Sequence, residues 1–328
     1  MSKLLSICIP TYNRVGTLQQ TLSSILPQVA TNEAVEIVIA DNASTDGTEE
    51  LVSEVSREHP FLRYHRNAQN LGFDGNIATC LKLAEGEYIS FFSDDDIALP
   101  GTFARVLAEL STHRPAILYL NHYAFRGENP TKGLRPRMVE RDILFQDGKE
   151  FLLFTGLGFV SSLTVRAESA RLYVGAIRPG RGQAHLDIAA RVALLEKGPF
   201  LFLGTQCVAA RAPAQLAYDG VTYAALNEAR FYHELQAEGL LDRVAASRRV
   251  RGTIPRNLLR AVVLKRCLGD HRDLARQRGK LIQAYGRYPE FFLIVYPVLV
   301  IPRALLVPLY LLARRALAFL RRGRGEST

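Results

Sequence analysis

Short apolar runs alternate with stretches of helical spacing through residues 1–203, and each kind predicts a different element. Leu4 to Ile9 reads as a buried strand, closed by the turn chemistry of Pro10-Thr11-Tyr12-Asn13. Leu18, Thr21, Leu22 and Ile25 then recur at helical spacing between Thr17 and Leu26, and Pro27 is expected to end that helix. Val35 to Ala40 predicts a second strand, which runs into the polar loop Asp41 to Thr48 and a helix reaching about Arg57. Leu62 to His65 predicts a third, followed by Asn67 to Phe73 and a helix from Asp74 to Ala84. Tyr88 to Phe92 is a fourth strand, and Pro100 begins a helix over Gly101 to Leu110. Strands and helices in this rhythm predict an α/β fold built on a mostly parallel, doubly wound sheet.

The pattern loosens after residue 110. Ile117 to Leu120 has the makings of another strand, and Phe125 to Glu140, rich in Gly, Pro and charge, reads as an excursion. Phe159 to Val165 is expected to return to the sheet as a strand, and a helix from Asp187 to Glu196 and a strand from Phe200 to Leu203 follow. Three parts are expected: an α/β domain over 1–225, a basic helical region over 226–290 and an apolar, basic tail over 291–328. In that tail Phe291 to Ala313 is almost wholly apolar, yet it holds Pro297, Pro302, Arg303 and Pro308. Its length would span a bilayer once. Three prolines and an arginine favour two short helices lying in the interface, with Arg314, Arg315, Arg321, Arg322 and Arg324 at the headgroups.

Charge sharpens this division. The net +9 hides seven Lys/Arg against fifteen Asp/Glu in residues 1–110, while residues 241–328 hold nineteen basic and five acidic side chains. Basic residues interleaved with long apolar stretches suit an anionic membrane surface better than nucleic acid. Hydrophobic residues make up 48% of the chain, enough for a large core, which excludes disorder as a whole-chain description. Cys8, Cys80, Cys207 and Cys267 are scattered, with no zinc-ligand spacing, and suit a reducing compartment. The run Leu4 to Pro10 is short and holds Ser6 and Cys8, so it does not read as a signal peptide, and a cytoplasmic catalytic part is expected.

Candidate chemistry concentrates where the fourth strand ends, at Ser93-Asp94-Asp95-Asp96. Three adjacent carboxylates repel one another unless a cation sits among them. Mg²⁺ or Mn²⁺ takes one or two carboxylates and fills its other positions from water and phosphates, which makes this a candidate metal and diphosphate platform. An acidic turn capping the next helix is the alternative. Neither a G-x-G-x-x-G fingerprint nor a G-x-x-x-x-G-K-[ST] loop follows the first strand.

Taken in order, Ser6 to Arg14, Asp41 to Thr48, Asn70-Leu71-Gly72 and Ser93 to Asp96 resemble the motifs of the second family of inverting glycosyltransferases, of GT-A fold. The resemblance covers residues 4–100 and implies a nucleotide-sugar donor. It places Pro10, Thr11, Tyr12 and Asn13 near the nucleotide, with Asn42 and Ser44 in the same donor loop and Asp41 accepting a hydrogen bond from the base. Asp41 also suits an Asx-turn, and Gly72 an ordinary turn, where Asn70 and Gly72 would shape the pocket edge. The family's metal motif is Asp-x-Asp, so Ser93 stands where its first Asp is usual. Asp95 then becomes the direct metal ligand, with Asp94 or Asp96 acting through water or the ribose; we take Asp95 and Asp96 as the metal pair and Asp94 as donor-binding.

For the base that takes the acceptor's proton, the resemblance offers Asp187, matching the Asp of a Glu-Asp pair at the start of a late helix, with His185 near the Glu position as second candidate. Asp187 as a plain helix-opening residue is the alternative. The N-terminal stretch and tail resemble bacterial O-antigen sugar transferases of the abequosyl or rhamnosyl type. That implies a polyprenyl-diphosphate-linked saccharide as acceptor at the cytoplasmic face of the bacterial inner membrane. The chain has no Trp, and so lacks the Gln-x-x-Arg-Trp signature of processive synthases; transfer of one sugar is expected. A sugar nucleotidyltransferase and a non-catalytic membrane scaffold are the competing classes.

Overall fold

The computed structural model describes residues 3–127, 129–130, 138–212, 221, 226–268 and 271–322. The chain forms two compact units, Met1–Ala214 and Gln215–Thr328.

The first unit runs β1 (Leu5–Thr11), α1 (Val15–Val29), β2 (Val35–Asp41), α2 (Thr48–Glu58), β3 (Leu62–Arg66), α3 (Gly72–Leu83), β4 (Tyr88–Phe91), β5 (Ile97–Ala98) and α4 (Thr102–His113). It continues with β6 (Ile117–Phe125), β7 (Ile143–Phe145), α5 (Gly148–Thr155), β8 (Leu163–Arg166), α6 (Ala167–Leu172), α7 (Ala184–Leu195) and β9 (Phe200–Arg211). Every residue of β1 and β2 is buried, as expected of strands covered on both faces. The two-residue period divides the work. Leu5, Ile7 and Ile9 join Val35, Ile37 and Ile39 in one core with Leu18, Leu22 and Ile25 of α1 and Phe103, Val106 and Leu110 of α4. On the other face the Cys8 thiol lies 3.8 Å from the Cys80 carbonyl of α3.

The sheet order is β3-β2-β1-β4-β8-β6-β9-β5, with β7 on β9. It is parallel through β3-β2-β1-β4 and mixed beyond, because β8 pairs antiparallel with both β4 and β6. Two consequences locate the site. Strand order reverses between β1 and β4, which opens a crevice at their carboxyl ends. Pro10 fits there because the β1–β4 ladder has already ended at the Cys8–Phe91 pair, so its missing N–H leaves no acceptor unserved. The reversed β8 also brings the segment before it, residues 156–162, to the same edge. β9 runs parallel to β6 and ends there too, at Arg211.

Element boundaries differ from the sequence reading in instructive ways. α1 carries Pro27 in its last turn and continues to Val29, since a proline near the end removes only one ladder bond; the Ala30 N–H still reaches the Leu26 carbonyl at 3.0 Å. α4 begins one residue later and ends three residues later than expected, with Gly101 before it at φ +83°. The expected strand Phe159 to Val165 is in fact a 3-10 turn, Val160–Ser162, followed by β8. β9 passes through the polar Gly204-Thr205-Gln206 on a bulge and runs far beyond Leu203. Of the expected excursion over 125–140, residues 128 and 131–137 lie outside the described residues.

The second unit is helical: α8 (Asn227–Ala237), α9 (Arg243–Thr253), α10 (Leu259–Leu268), α11 (His271–Tyr285), α12 (Tyr296–Val300) and α13 (Arg303–Arg322). Asp242 caps α9, accepting the Ala245 N–H at 2.8 Å. The tail is not a separate part, since α10 packs against both α12 and α13, and Arg266 of α10 donates to the Leu299 carbonyl at the end of α12. Among the described residues no single helix is long and apolar enough to cross a membrane. Phe291–Val300 and Arg303–Leu312 form a pair bent by 112°, so the stretch is broken as expected, although its second half opens the 20-residue α13 and not a short helix. Leu293 is 77% exposed, and Leu305, Leu309 and Leu312 are more than half exposed. Arg324 lies outside the described residues.

Candidate active site

The three acids after β4 occupy three different environments. Asp94 is buried; it accepts from the Thr11 hydroxyl at 2.8 Å and from Arg14 at 3.0 Å. Burial pushes its carboxyl up to about 6, with Arg14 opposing and Asp95 adding to the rise. Asp95 is the open member, its side chain 26% exposed, and its Oδ2 lies 2.9 Å from the same Arg14 nitrogen. Its Oδ1 accepts from the Ser93 hydroxyl at 2.6 Å, so Ser93 aims the acid beside it. Asp96 faces inward at 2% exposure, where Ser161 Oγ donates to it at 2.6 Å and the Arg211 N–H at 2.9 Å. Burial, with Asp95 alongside, raises Asp96 to about 7 against those two hydrogen bonds.

This geometry departs from the expected pairing of Asp95 with Asp96 as metal ligands. All three acids have both oxygens engaged within the protein; Asp96 differs from Asp95 in being buried, with bonds that brace the acid turn, whereas Asp95 is open to the cleft. The carboxylates that share a cation are Asp94 and Asp95, each in contact with Arg14 Nη1. The Arg14 guanidinium holds the point between these two carboxylates; hard oxygen donors at the rim of a cleft are nonetheless the chemistry that Mg²⁺ or Mn²⁺ takes jointly with a diphosphate, once the guanidinium gives way. Among the described residues no three His, Cys, Asp or Glu side chains group into an all-protein metal cage, which such an ion does not need. The cleft, about 390 Å³, is walled by Asn13, Arg14, Asp46, Asp95 and Arg211 among others.

The donor-side residues are brought together, but chiefly as a scaffold for one another. Asn13 takes the left-handed conformation, φ +50°, which Asn tolerates; its N–H donates to Ser44 Oγ at 2.8 Å and its side-chain oxygen accepts the Thr45 N–H at 2.8 Å. Asp41 is wholly buried and accepts from the Ser44 N–H at 3.0 Å, the Ser44 hydroxyl and the Tyr64 hydroxyl at 2.7 Å. Asn42 donates to the Gly72 carbonyl at 3.0 Å and accepts from the Leu71 N–H at 3.0 Å, tying β2 to the start of α3. Asn70 accepts the Gly72 N–H at 2.8 Å, and Gly72, at φ +71°, makes the turn that a side chain would strain. Pro10 and Thr11 are buried at the end of β1, whereas Tyr12 is 44% exposed and is the open aromatic face of the set.

Asp187 and His185 both lie in the first turn of α7 and are nearly buried. Asp187 Oδ2 accepts the Arg178 N–H at 3.3 Å. Burial raises its carboxyl above the ordinary aspartate value, although that hydrogen bond and the charges of Arg191, Arg181 and Arg178 pull the other way. Burial lowers His185 to about 4, so its imidazole is neutral near pH 7. Its Nε2 lies 3.4 Å from the Gly158 carbonyl, its Nδ1 has no hydrogen-bond partner, and the Phe73 ring meets it edge-on at 5.7 Å.

Ser161 and Arg211 were not visible as site residues in the sequence. Ser161 sat inside what read as a strand, and Arg211 lay beyond where β9 seemed to end. Arg211 also donates through Nε to the Asp95 carbonyl at 3.0 Å and rests over the Phe125 ring at 4.7 Å. Ser161→Ala removes the donor to Asp96 and the acceptor of the Ser93 N–H. Two buried polar groups lose a partner, and a loss of about 1–3 kcal/mol is expected. A lower urea midpoint at unchanged m value measures it.

Residues 6–165 match the model of Glycosyl transferase family 2. Over 94 residues the chain is 47% identical to the abequosyltransferase RfbV of Salmonella typhimurium, which is 28% of each chain. Over 151 residues it is 32% identical to a Campylobacter jejuni protein, the GalNAc(5)-diNAcBac-PP-undecaprenol beta-1,3-glucosyltransferase, covering 45% of this chain and 47% of that one. The match thus spans less than half the length of either curated relative. Among solved structures, S. aureus TarS 1-349 in complex with UDP-GlcNAc superposes with a TM-score of 0.63 at 19% identity, over 92% of this chain and 86% of that one. The mannosyltransferase PcManGT of Pyrobaculum calidifontis, in complex with GDP-Man and Mn²⁺, does so with a TM-score of 0.53 at 15% identity, over 94% and 87%. At these identities the likeness is one of fold, the GT-A arrangement.

Proposed function

From the match of residues 6–165 to the model of glycosyl transferase family 2, we propose that the chain moves one sugar from a nucleoside diphosphate sugar to a hydroxyl of a polyprenyl-diphosphate-linked saccharide, with inversion. The setting is the cytoplasmic face of a bacterial inner membrane, in envelope polysaccharide synthesis. One observation carries the reading. Within Gly158 to Ser161 a single short segment touches both halves of the chemistry, His185 at one end and Asp96 with Ser93 at the other. That shared segment ties the donor-facing acids to the first turn of α7, which supports reading the two as sides of one site.

On the donor side Thr11 and Arg14 hold Asp94, Ser93 orients Asp95, and Tyr12 offers its exposed ring to the nucleotide base. The buried, three-times-bonded Asp41 acts through this loop by fixing Ser44, which in turn fixes Asn13. A divalent cation held by Asp95, with Asp94 beside it, would supply the positive charge that steadies the departing diphosphate. On the acceptor side Asp187 takes the proton of the attacking hydroxyl as that oxygen meets the anomeric carbon from the face opposite the leaving group. Dry surroundings raise the Asp187 carboxyl and so make it a better proton acceptor than an exposed aspartate. His185, neutral and packed on Phe73, shapes the same turn.

The acceptor class is supported by the Campylobacter jejuni relative, a GalNAc(5)-diNAcBac-PP-undecaprenol beta-1,3-glucosyltransferase. The test is transfer of labelled sugar into the lipid-extractable fraction by full-length protein, with a polyprenyl-diphosphate-linked disaccharide as acceptor. Label entering lipid only with that acceptor supports the proposal, and label found only in free sugar contradicts it.

The exposed apolar side of the bent pair carries the membrane part of the reading. Leu293→Asp together with Leu309→Asp places charge where apolar burial into the interface is proposed. Binding to vesicles containing anionic lipid is expected to weaken by about tenfold or more per residue. Co-sedimentation measures it.

A further inference from the structure

α7 lacks a local N-cap: Gln183 makes no side-chain capping bond, and the orphan N–H groups of its first turn need an acceptor from elsewhere. That acceptor is Asp74, in the first turn of α3 and 3% exposed. Its Oδ2 accepts the N–H groups of Arg181 at 2.8 Å and Gly182 at 2.9 Å, and its Oδ1 those of Gln183 at 2.8 Å and Ala184 at 2.9 Å. Gly180 and Gly182, at φ +82° and +67°, curve the backbone so that four consecutive N–H groups converge on one carboxylate. The bonds are charge-assisted and span more than a hundred residues of sequence. They lock the start of the helix that carries His185 and Asp187 to a helix whose own start is fixed by the donor loop through Asn42 and Gly72.

We infer that Asp74 is the positioning residue of the transfer step: its carboxylate sets the path of residues 181–184 and thereby the aim of Asp187 at the acceptor hydroxyl. The inference rests on the reading of Asp187 as the base. Asp74 touches no substrate and acts through the backbone. A catalytic group displaced by about 1 Å can lose roughly 100-fold in rate, so the effect falls on turnover and not on donor binding.

Asp74→Asn turns part of the acceptor into an N–H₂ donor facing N–H groups. We expect kcat, expressed per donor-binding site, to fall by about 30- to 100-fold, with donor Kd changed by no more than about threefold. Combined with Asp187→Asn it should add little, because both losses run through one group. A merely structural Asp74 would lower the fraction of donor-binding protein and leave kcat per site unchanged. Should Asp74→Asn fail to fold, Asp74→Glu keeps the charge and the acceptors while displacing the 181–184 backbone, and is expected to lose about tenfold in kcat at unchanged donor Kd.

Wild-type kcat per site in either folded variant, or losses that multiply with that of Asp187→Asn, would overturn the inference while leaving the base intact. Full activity in Asp187→Asn alone would remove the base and the inference with it.

Discussion

Asp187→Asn is expected to lower kcat for sugar transfer by about 10³-fold, within the range a positioned general base supplies, and to leave donor affinity within about twofold. Asparagine preserves the shape of the side chain and removes only its capacity to take a proton. The donor-side residues, grouped around the ends of β1, β2 and β4, are untouched by it. The wild-type rate also has a defined dependence on pH. With Asp187 as the proposed base only its carboxylate form accepts the proton, so the rate is expected to fall as pH drops through the Asp187 pKa. Burial places that pKa above the ordinary aspartate value, against the Arg178 N–H and the neighbouring arginines. The acidic limb should therefore lie at higher pH than for an exposed aspartate, and it should vanish in Asp187→Asn. A kcat/KM profile of both proteins measures this. Loss in His185→Gln with none in Asp187→Asn would move the base to the imidazole.

Asp95→Ala is expected to lower turnover by roughly 10³-fold, about 4 kcal/mol, the scale at which charge stabilisation of a departing diphosphate operates. Of the three acids it is the most exposed, and its removal frees only the Ser93 hydroxyl and one contact of Arg14. Asp94 and Asp96 are buried, while Asp95, though bonded to Ser93 and Arg14, is partly exposed and lines the cleft. Addition of EDTA to the wild type should produce a loss of similar size, reversed by Mn²⁺ or Mg²⁺, whereas Asp95→Ala should respond little to either. Steady-state rates with and without chelator measure it. Wild-type turnover that survives EDTA would assign the diphosphate's charge to Arg14 and its neighbours.

Much of this site was legible in the sequence because its parts are local. The strands β1, β2 and β4 announced themselves as apolar runs, and each ends in polar residues that cluster where strand order reverses. The late helix was read as starting at Asp187, whereas α7 begins three residues earlier, at Ala184, and so takes in His185 as well. The parts that were not legible are held by bonds that leave no local mark. Ser161 reaches Asp96 across 65 residues, Arg211 reaches it across 115, and Asp74 caps a helix that begins 110 residues later. Val160-Ser161-Ser162 lies in an apolar, β-prone stretch, so its turn depends on what it must bond to. The partners of Asp96 were hidden for the same reason: a carboxylate in a triplet looks available until they are known. The sheet beyond β4 was only partly readable, since nothing in the composition of Leu163 to Arg166 shows that it runs against its neighbours.

The most direct test of the central claim is the anomeric configuration of the product. Full-length protein in anionic vesicles is offered UDP-, GDP-, dTDP- and CDP-sugars in turn with a polyprenyl-diphosphate-linked acceptor, and the new linkage is examined by NMR. The account predicts turnover of a donor and a linkage opposite in configuration to the donor's. A product that retains the donor's configuration, or no turnover with any donor, would contradict it.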